Sequence, residues 1–350
     1  MVDWSLARQI ARFAAGGGGP PAVEADFPAL VAETEGHLRD YTALSPAGPI
    51  PGPETVSRAE WAEANLDSLA KMLEPVADRL GKRLELAGPL AGALRTVTGA
   101  TLAAESGLVI GYMSTRVLGQ YDVSLLEADA SPRLLFVGPN LSKAVRELGV
   151  DRDSFLRWIV LHELTHVLQF SGVPWLRDHL SELMRDYMKT VEVRIERGAA
   201  GGLPSWPDPQ KLVEAFREGG LVALVQTGEQ RRLMSRIQPA MSVIEGYSEH
   251  VMDAVGERVL PAYAGLRSAM ERRRRSRSAP ERILQRLLGL DLKMRQYEEG
   301  KAFCDAVVAD GGIEALNRVW DSPDALPTTR ELREPTVWLA RMRAAEPAAA

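Results

Sequence analysis

Apolar residues recur at helical spacing along much of the chain. Between Ser57 and Leu86 they fall every three or four positions, with no Gly or Pro except Pro75 and Gly81, which predicts helical packing around a core. The first residues, MVDWSLARQIARFAA, predict a short amphipathic helix whose first turn Asp3 caps. Two Gly/Pro-rich stretches, 16–21 and 45–53, predict loops on either side of another short helix.

A different pattern begins at Gly107. The stretches GLVIGYMSTRVLGQYDVSLL and RLLFVGPNL contain short β-branched and aromatic runs that are separated by Gly, Ser and Pro. These runs predict three short strands, the last of them within residues 133–138. The sequence therefore predicts a predominantly helical α+β protein with a small sheet.

A buried helix is predicted directly after these strands. It begins at Asp151 or Asp153, carries WIVLHELTHVLQFSG (residues 158–172), and ends at Gly172, with Pro174 just beyond. Its apolar residues lie on two faces, so most of its sides should be buried. The rest of the chain looks helical and has no internal repeat.

Composition and charge narrow the class of protein. A chain of 350 residues that is 45% hydrophobic can bury a substantial core in one large or two modest domains. Its formal net charge of -5 argues against nucleic acid or an anionic membrane as a partner. The basic run ERRRRSRSAPER, residues 271–282, is typical of a solvated loop or helix end, and we assign it no function.

Cysteine content restricts the metal chemistry. Because Cys304 is the single cysteine, an internal disulfide or a Cys-based zinc site is excluded, and any metal must use nitrogen and oxygen ligands. Arg8 and Arg12 interrupt the N-terminal apolar residues too often for a signal peptide, and no apolar stretch has the length of a membrane span. We therefore expect a cytoplasmic protein.

The sequence HELTH has the spacing of a metal site. On a helix, His162 and His166 lie on one face roughly 6 Å apart and can bind one ion. Glu163 is turned to the flank, where it can act as the general base toward a water molecule. With five histidines and at most 47 glutamates, random placement would give about 0.01 such matches. Two histidines without partners in a buried helix would also be costly.

A third ligand must come from another part of the chain, since a catalytic zinc normally takes three protein ligands. The remaining histidines are His37, His179 and His250. His179 follows the motif too closely, and the HxxGxxH extension that would supply a histidine is absent. A carboxylate is the better candidate.

The best carboxylate cluster is SVIEGYSEHVMDAVG, residues 242–256, where Glu245, Glu249 and Asp253 recur every four positions on one helix face. Apolar neighbours favour burial of these acids beside a cation. We favour Glu245 as the ligand, because Gly246 would let another backbone approach closely. Glu249 with Asp253 is the alternative, and the acid that is not a ligand would orient an imidazole.

Several motifs together resemble the zincin-like metallopeptidases, and within them the type 2 group often labelled as deazaflavin-coenzyme biosynthesis-associated proteins. These motifs are VDWSLA, VLGQYD, HELTHVLQF, EGYSEHVMD and LNRVWDSPDALPTTREL. The resemblance implies a small mixed sheet packed against the HExxH helix, with a large helical remainder. It also implies His162 and His166 as zinc ligands, Glu163 as the base, and RLLFVG as the sheet edge that pairs with a peptide.

From the residues and the resemblance we expect an N-terminal helical region (1–95), a zincin-like catalytic core (96–260) and a C-terminal helical region (261–350). The predicted activity is that of a zinc-dependent hydrolase, which acts on a peptide or a small amide; protein partners are not predicted. Tyr247, His250 and Tyr297 are candidates for the donor that stabilises the oxyanion. The alternatives are an inactive scaffold protein with a structural metal, and a hydrolase of non-peptide amides.

Overall fold

Helices make up most of the part of the chain that the computed structural model describes, which is residues 2–16, 23–85, 91–125, 130–190, 228–275 and 290–345. The helices are α1 (Trp4–Ala14), α2 (Phe27–Thr42), α3 (Arg58–Glu85), α4 (Ala91–Ser114), α5 (Gly138–Leu148), α6 (Arg152–Gly172), α7 (Leu176–Thr190), α8 (Gly228–Val259), α9 (Tyr263–Arg275), α10 (Leu290–Asn317), α11 (Thr329–Arg333) and α12 (Pro335–Ala344). Two 3-10 turns, Arg318–Trp320 and Pro323–Ala325, follow α10. Residues 17–21 of the first predicted loop and 276–282 of the basic run lie outside the described residues.

Three strands form one mixed sheet in the order β1-β3-β2. The strand β3 (Arg133–Val137) lies in the middle, parallel to β1 (Pro53–Val56) and antiparallel to β2 (Gly119–Asp122). The α+β class and the small mixed sheet are therefore confirmed. The prediction that RLLFVG forms a sheet edge is wrong, because β3 pairs with β1 on one side and with β2 on the other.

One of the three predicted strands is part of a helix. Residues 107–114, read as a strand because glycines interrupt an apolar run, belong to α4. A Cβ at Gly107 would lie 2.5 Å from the carbonyl oxygen of Ala7, and one at Gly111 would lie 2.8 Å from that of Ala11. These glycines therefore let α1 pack directly on α4, and they do not mark the ends of strands.

Other local predictions are confirmed. Asp3 caps α1 by accepting a hydrogen bond from the backbone N–H of Leu6 at 3.0 Å. Asp151, rather than Asp153, caps α6 by accepting from Ser154 N at 2.8 Å. The helix α6 is buried on most sides, against the sheet, α2 and α8. This places the HELTH sequence in the centre of the molecule.

A close backbone crossing holds α8 against α10. A Cβ at Gly246 would lie 2.2 Å from the backbone carbon of Gly300, and one at Gly300 would lie 1.9 Å from the carbonyl oxygen of Ser242. The approach that we inferred from Gly246 is therefore present. It fixes the segment of α8 that follows Glu245. The three-region division of the chain stays a prediction; β1, from the first region, pairs with β3 in the second.

Candidate metal centre

Two imidazoles from adjacent turns of α6 face each other. The Nε2 atoms of His162 and His166 are 3.3 Å apart, and the two rings are nearly perpendicular. The helix supplies this arrangement by itself, because residues four apart lie on the same face. Both nitrogens can therefore reach one ion.

The third group comes from α8. Glu245 Oε2 lies 3.8 Å from His166 Nε2, and one donor atom from each of His162, His166 and Glu245 lies within 4.8 Å of the other two. All three residues are partly buried. The structure thus brings together the two histidines and the carboxylate that the sequence favoured.

Neutral side chains hold the imidazoles in place. His166 Nδ1 lies 2.9 Å from Gln169 Oε1, while Gln169 Nε2 donates to the carbonyl of Ile244 at 2.9 Å. Because that amide oxygen can only accept, His166 carries its proton on Nδ1 and turns the lone pair of Nε2 toward the cluster. Gln169 therefore ties the imidazole to the backbone beside Glu245.

His162 is oriented in the same way from α8. Its Nδ1 lies 3.0 Å from both Ser248 Oγ and Met252 Sδ. A thioether sulfur can only accept, which favours a proton on Nδ1 and leaves Nε2 for a metal. The orienting role that we expected of a carboxylate is thus filled by an amide for one histidine and by a hydroxyl and a thioether for the other.

The two other acids of the cluster face basic side chains. Arg267 Nη1 donates to Glu249 Oε2 at 2.6 Å, and Arg267 Nε lies 3.3 Å from Asp253 Oδ1. Lys301 Nζ lies 3.0 Å from Asp253 Oδ2. Burial beside cations was predicted for this face, and for these two acids the cations are protein side chains. Glu245 is the acid of the three that lies nearest the histidines.

Glu163 is buried on the flank of α6, with 5% of its surface exposed. The backbone N–H of Tyr121 in β2 donates to its Oε2 at 2.9 Å. Burial and the nearby charge of Glu245 raise the pKa of Glu163 to about 8, against the opposing effect of this hydrogen bond. A dication bound between the histidines and Glu245 would lower that pKa, because it would stabilise the carboxylate.

A cleft of about 1110 Å³ opens onto these groups. One wall is formed by α3, α4 and β2, and the other by α8, α9 and α10. The candidate residues that line it are His162, Glu163, His166, Glu245, Glu249 and Asp253. The centre is therefore open to a ligand, which a purely structural metal would not require.

Two of the three candidate oxyanion donors lie away from the cleft. Tyr247 is fully buried and donates to Asn317 Oδ1 at 2.8 Å. His250 lies 2.7 Å from the hydroxyl of Tyr41 and 2.8 Å from Asp305 Oδ1. Neither lines the cleft, because positions two and five residues after Glu245 point away from its helix face. The side chain of Tyr297 is outside the described part of the structure.

Some residues of this site were missed in the sequence. Gln169 lies on the same face of α6 as both histidines, and this position could have indicated that it contacts them. Ser248 and Met252 are also on the histidine-facing side of α8. Arg267 and Lys301 come from two other helices, and no local pattern in the sequence relates them to the cluster.

Comparison with known proteins gives two matches. A family model described as zincin-like metallopeptidase matches residues 2–339. The crystal structure of a candidate hydrolase with a novel fold from Chloroflexus aurantiacus is similar, with 32% sequence identity and a TM-score of 0.73. The match covers 99% of this chain and 100% of that one. No protein of the functionally curated set matches.

Among the described residues, no helix is long and apolar enough to cross a membrane. The cytoplasmic location and the exclusion of nucleic-acid and membrane partners stay predictions.

Proposed function

The chain belongs to the zincin-like metallopeptidases, and from that premise we propose that it is a zinc-dependent hydrolase that cleaves amide bonds in peptides. The family expected from the sequence motifs is thereby confirmed. Membership of this family implies that the protein uses a metal ion. One observation carries the proposal: donor atoms of His162, His166 and Glu245 all lie within 4.8 Å of one another.

The donor set fits zinc. Two imidazole nitrogens and one carboxylate oxygen are a common ligand set of catalytic zinc sites, and they leave a position for water or substrate. Because the protons are on the Nδ1 atoms, the lone pairs of both Nε2 atoms can coordinate the ion. Glu245 adds a negative charge that offsets the charge of the ion. Residues of this chain that would hold the ion are therefore His162, His166 and Glu245.

Zinc bound there would polarise the scissile carbonyl and lower the pKa of a water molecule to about 7. Glu163 would then accept the proton of the attacking water. Its Oε2 is held by the N–H of Tyr121, so Oε1 is the oxygen that takes this proton and passes it to the leaving amine. Burial keeps bulk water from competing for the carboxylate.

The open edge of β2 supports a peptide as the substrate. Val137 N donates to Leu118 O, so the alternation of an antiparallel pair turns the backbone groups of Gly119 and Tyr121 away from β3 and toward the cleft. The N–H of Tyr121 already donates to Glu163 Oε2, so a peptide would pair with the remaining groups. Within the described ranges no other strand pairs with this edge. An extended peptide that pairs with β2 would pass directly beside Glu163. The substrate-pairing role that the family resemblance implied for β3 therefore passes to β2 in this proposal.

Zinc analysis is the direct test. We expect one zinc per chain, and we expect added zinc to raise the melting temperature of chelator-treated protein, because the ion binds the folded state. His166→Ala should lose both properties, whereas His37→Ala, at an exposed position on α2, should keep them. A protein without stoichiometric zinc and without a thermal response would contradict the proposed function and all three ligand assignments.

Gly119→Ala tests the position of the proposed base. The added Cβ would lie 2.7 Å from both Cγ and Oε1 of Glu163, so the carboxylate must move. Since a misplacement of about 1 Å can cost roughly 100-fold in rate, we expect a loss of that order in kcat with zinc still bound. Gly36→Ala, where no atom lies within 4 Å of the new Cβ, is the matched control. Unchanged hydrolysis by Gly119→Ala would place the base elsewhere.

A further inference from the structure

The strand β2 presents different residues on its two faces. A Cβ at Gly119 would touch Glu163, and the ring of Tyr121 lies against that of Phe170, so these two residues face α6. Gln120 points the opposite way and exchanges hydrogen bonds with the side-chain amide of Asn65 on α3, each at 3.2 Å. The centre of the proposed chemistry lies on the first face.

A second cavity, of about 400 Å³, lies on the other face. Its apolar wall combines α3, α4, α7 and the segment after β2, and consists of Leu69, Met72, Ile110, Val123, Leu125 and Met184. Four residues line both this cavity and the cleft: Asn65, Ile110, Gln120 and Tyr121. The two spaces are therefore neighbours, and these four residues form their common wall at the edge of β2.

The charged residues of this second cavity do not offer a buried binding partner. Lys71 is exposed to solvent, and Asp122 accepts a hydrogen bond from the backbone N–H of Ser124 at 3.0 Å. A substrate carboxylate or ammonium placed against the six apolar residues would lose its water to a surface that cannot replace those hydrogen bonds. An apolar side chain would gain from the same burial.

We propose that this cavity is a specificity pocket for one large apolar side chain, such as Leu, Met or Phe, of a peptide substrate. The inference rests on the proposed function, because it takes the peptide to pair with β2. Side chains of an extended peptide alternate between two faces. When the peptide backbone passes Glu163 on the α6 side, a neighbouring side chain points to the face of Gln120 and enters the pocket.

Binding and cleavage of peptides test the pocket. The probes are fluorescein-labelled hexapeptides of Ala in which one position in turn is Leu, Phe, Lys, Ala or Glu. Cleavage is measured with the zinc-loaded protein, and binding by fluorescence anisotropy with zinc-loaded Glu163→Gln. At one position we expect Leu and Phe to exceed Glu at least about tenfold in kcat/KM and in affinity.

Two variants assign this preference to the pocket. Ser68→Phe adds a ring at a half-buried position on its wall and should remove the preference, whereas Ser235→Phe, on the exposed side of α8, should keep it. Met72→Glu puts a carboxylate into the pocket wall and should shift the preference toward Lys at the same position. The expected preference of Met72→Glu for the Lys peptide can be measured even if Ser68→Phe does not fold.

The outcomes separate this inference from the proposed function. Peptide cleavage without an apolar preference at any position would overturn the pocket alone, as would a preference that survives both pocket variants. A zinc-loaded protein that neither binds nor cleaves any of the peptides would overturn the peptidase proposal and the pocket with it. A preference that Ser68→Phe removes and Met72→Glu redirects would establish the pocket.

Discussion

Replacement of Glu163 by Gln is expected to lower the rate of hydrolysis by two or more powers of ten and to leave zinc bound. Glutamine keeps the shape of the side chain and can still accept the hydrogen bond from Tyr121 N, which Glu163 accepts at 2.9 Å. It cannot take a proton from water at neutral pH, so the general-base contribution, roughly 100- to 10,000-fold, is lost. The measurement is kcat on a peptide substrate, together with the zinc content.

Glu257→Gln is the matched control, because it makes the same chemical change at an exposed position on α8. It should alter neither rate nor zinc content. If Glu163→Gln hydrolyses peptides at the normal rate, the base is another residue. If neither the wild-type protein nor any variant turns over peptides although zinc is bound, the alternative of a scaffold with a structural metal gains support.

Glu245→Ala is expected to abolish tight zinc binding. The change removes both the third donor atom and the charge that offsets the ion, and two imidazoles from one helix turn are a weak site by themselves. Glu249→Ala should do less, because Glu249 is held by Arg267 at 2.6 Å. Because Gln169, Ser248 and Met252 orient the imidazoles, the loss should not exceed the roughly 10- to 100-fold that removal of a ligand-orienting group costs. Zinc titration against a competing chelator measures both.

The order of the two effects decides the ligand. A larger loss in Glu249→Ala would assign the metal to Glu249. Small and equal losses would mean that α8 does not supply a ligand. Because Arg267 also lies 3.3 Å from Asp253 and 3.7 Å from Glu271, its charge keeps partners in Glu249→Ala, and the fold should persist in that variant.

Local periodicity was enough to predict α3, α6 and the histidine pair. The apolar pattern from Ser57 to Leu86 became α3 almost residue for residue, and the four-residue spacing of HELTH placed both imidazoles on one face. Gly246 also indicated a close backbone approach, which the structure shows at Gly300. In each case the relevant contact is set by spacing within one helix or by the absence of a side chain.

Predictions that depended on partners distant in sequence were less accurate. The strand β1 was missed, since PETV follows a Pro/Gly-rich loop and is recognisable only when it pairs with β3. Gly107 and Gly111 looked like strand ends because the sequence does not show that α1 lies against them. For the same reason, the acids of α8 could not be assigned to Arg267 or Lys301 before the helices were placed.

The backbone crossing of α8 and α10 also concerns the local opening of the protein. Gly300 lies against the carbonyl of Ser242, and Gly246 lies against Gly300. Because these are contacts between backbone atoms, no flexible side chain can maintain them when the two helices slide or separate slightly. Glu245 lies beside this crossing, so the ligand should move only when the helix pair opens as one cooperative unit. The amide hydrogens of α8 around Glu245 should therefore exchange with solvent as slowly as those of the core, even in the zinc-free protein.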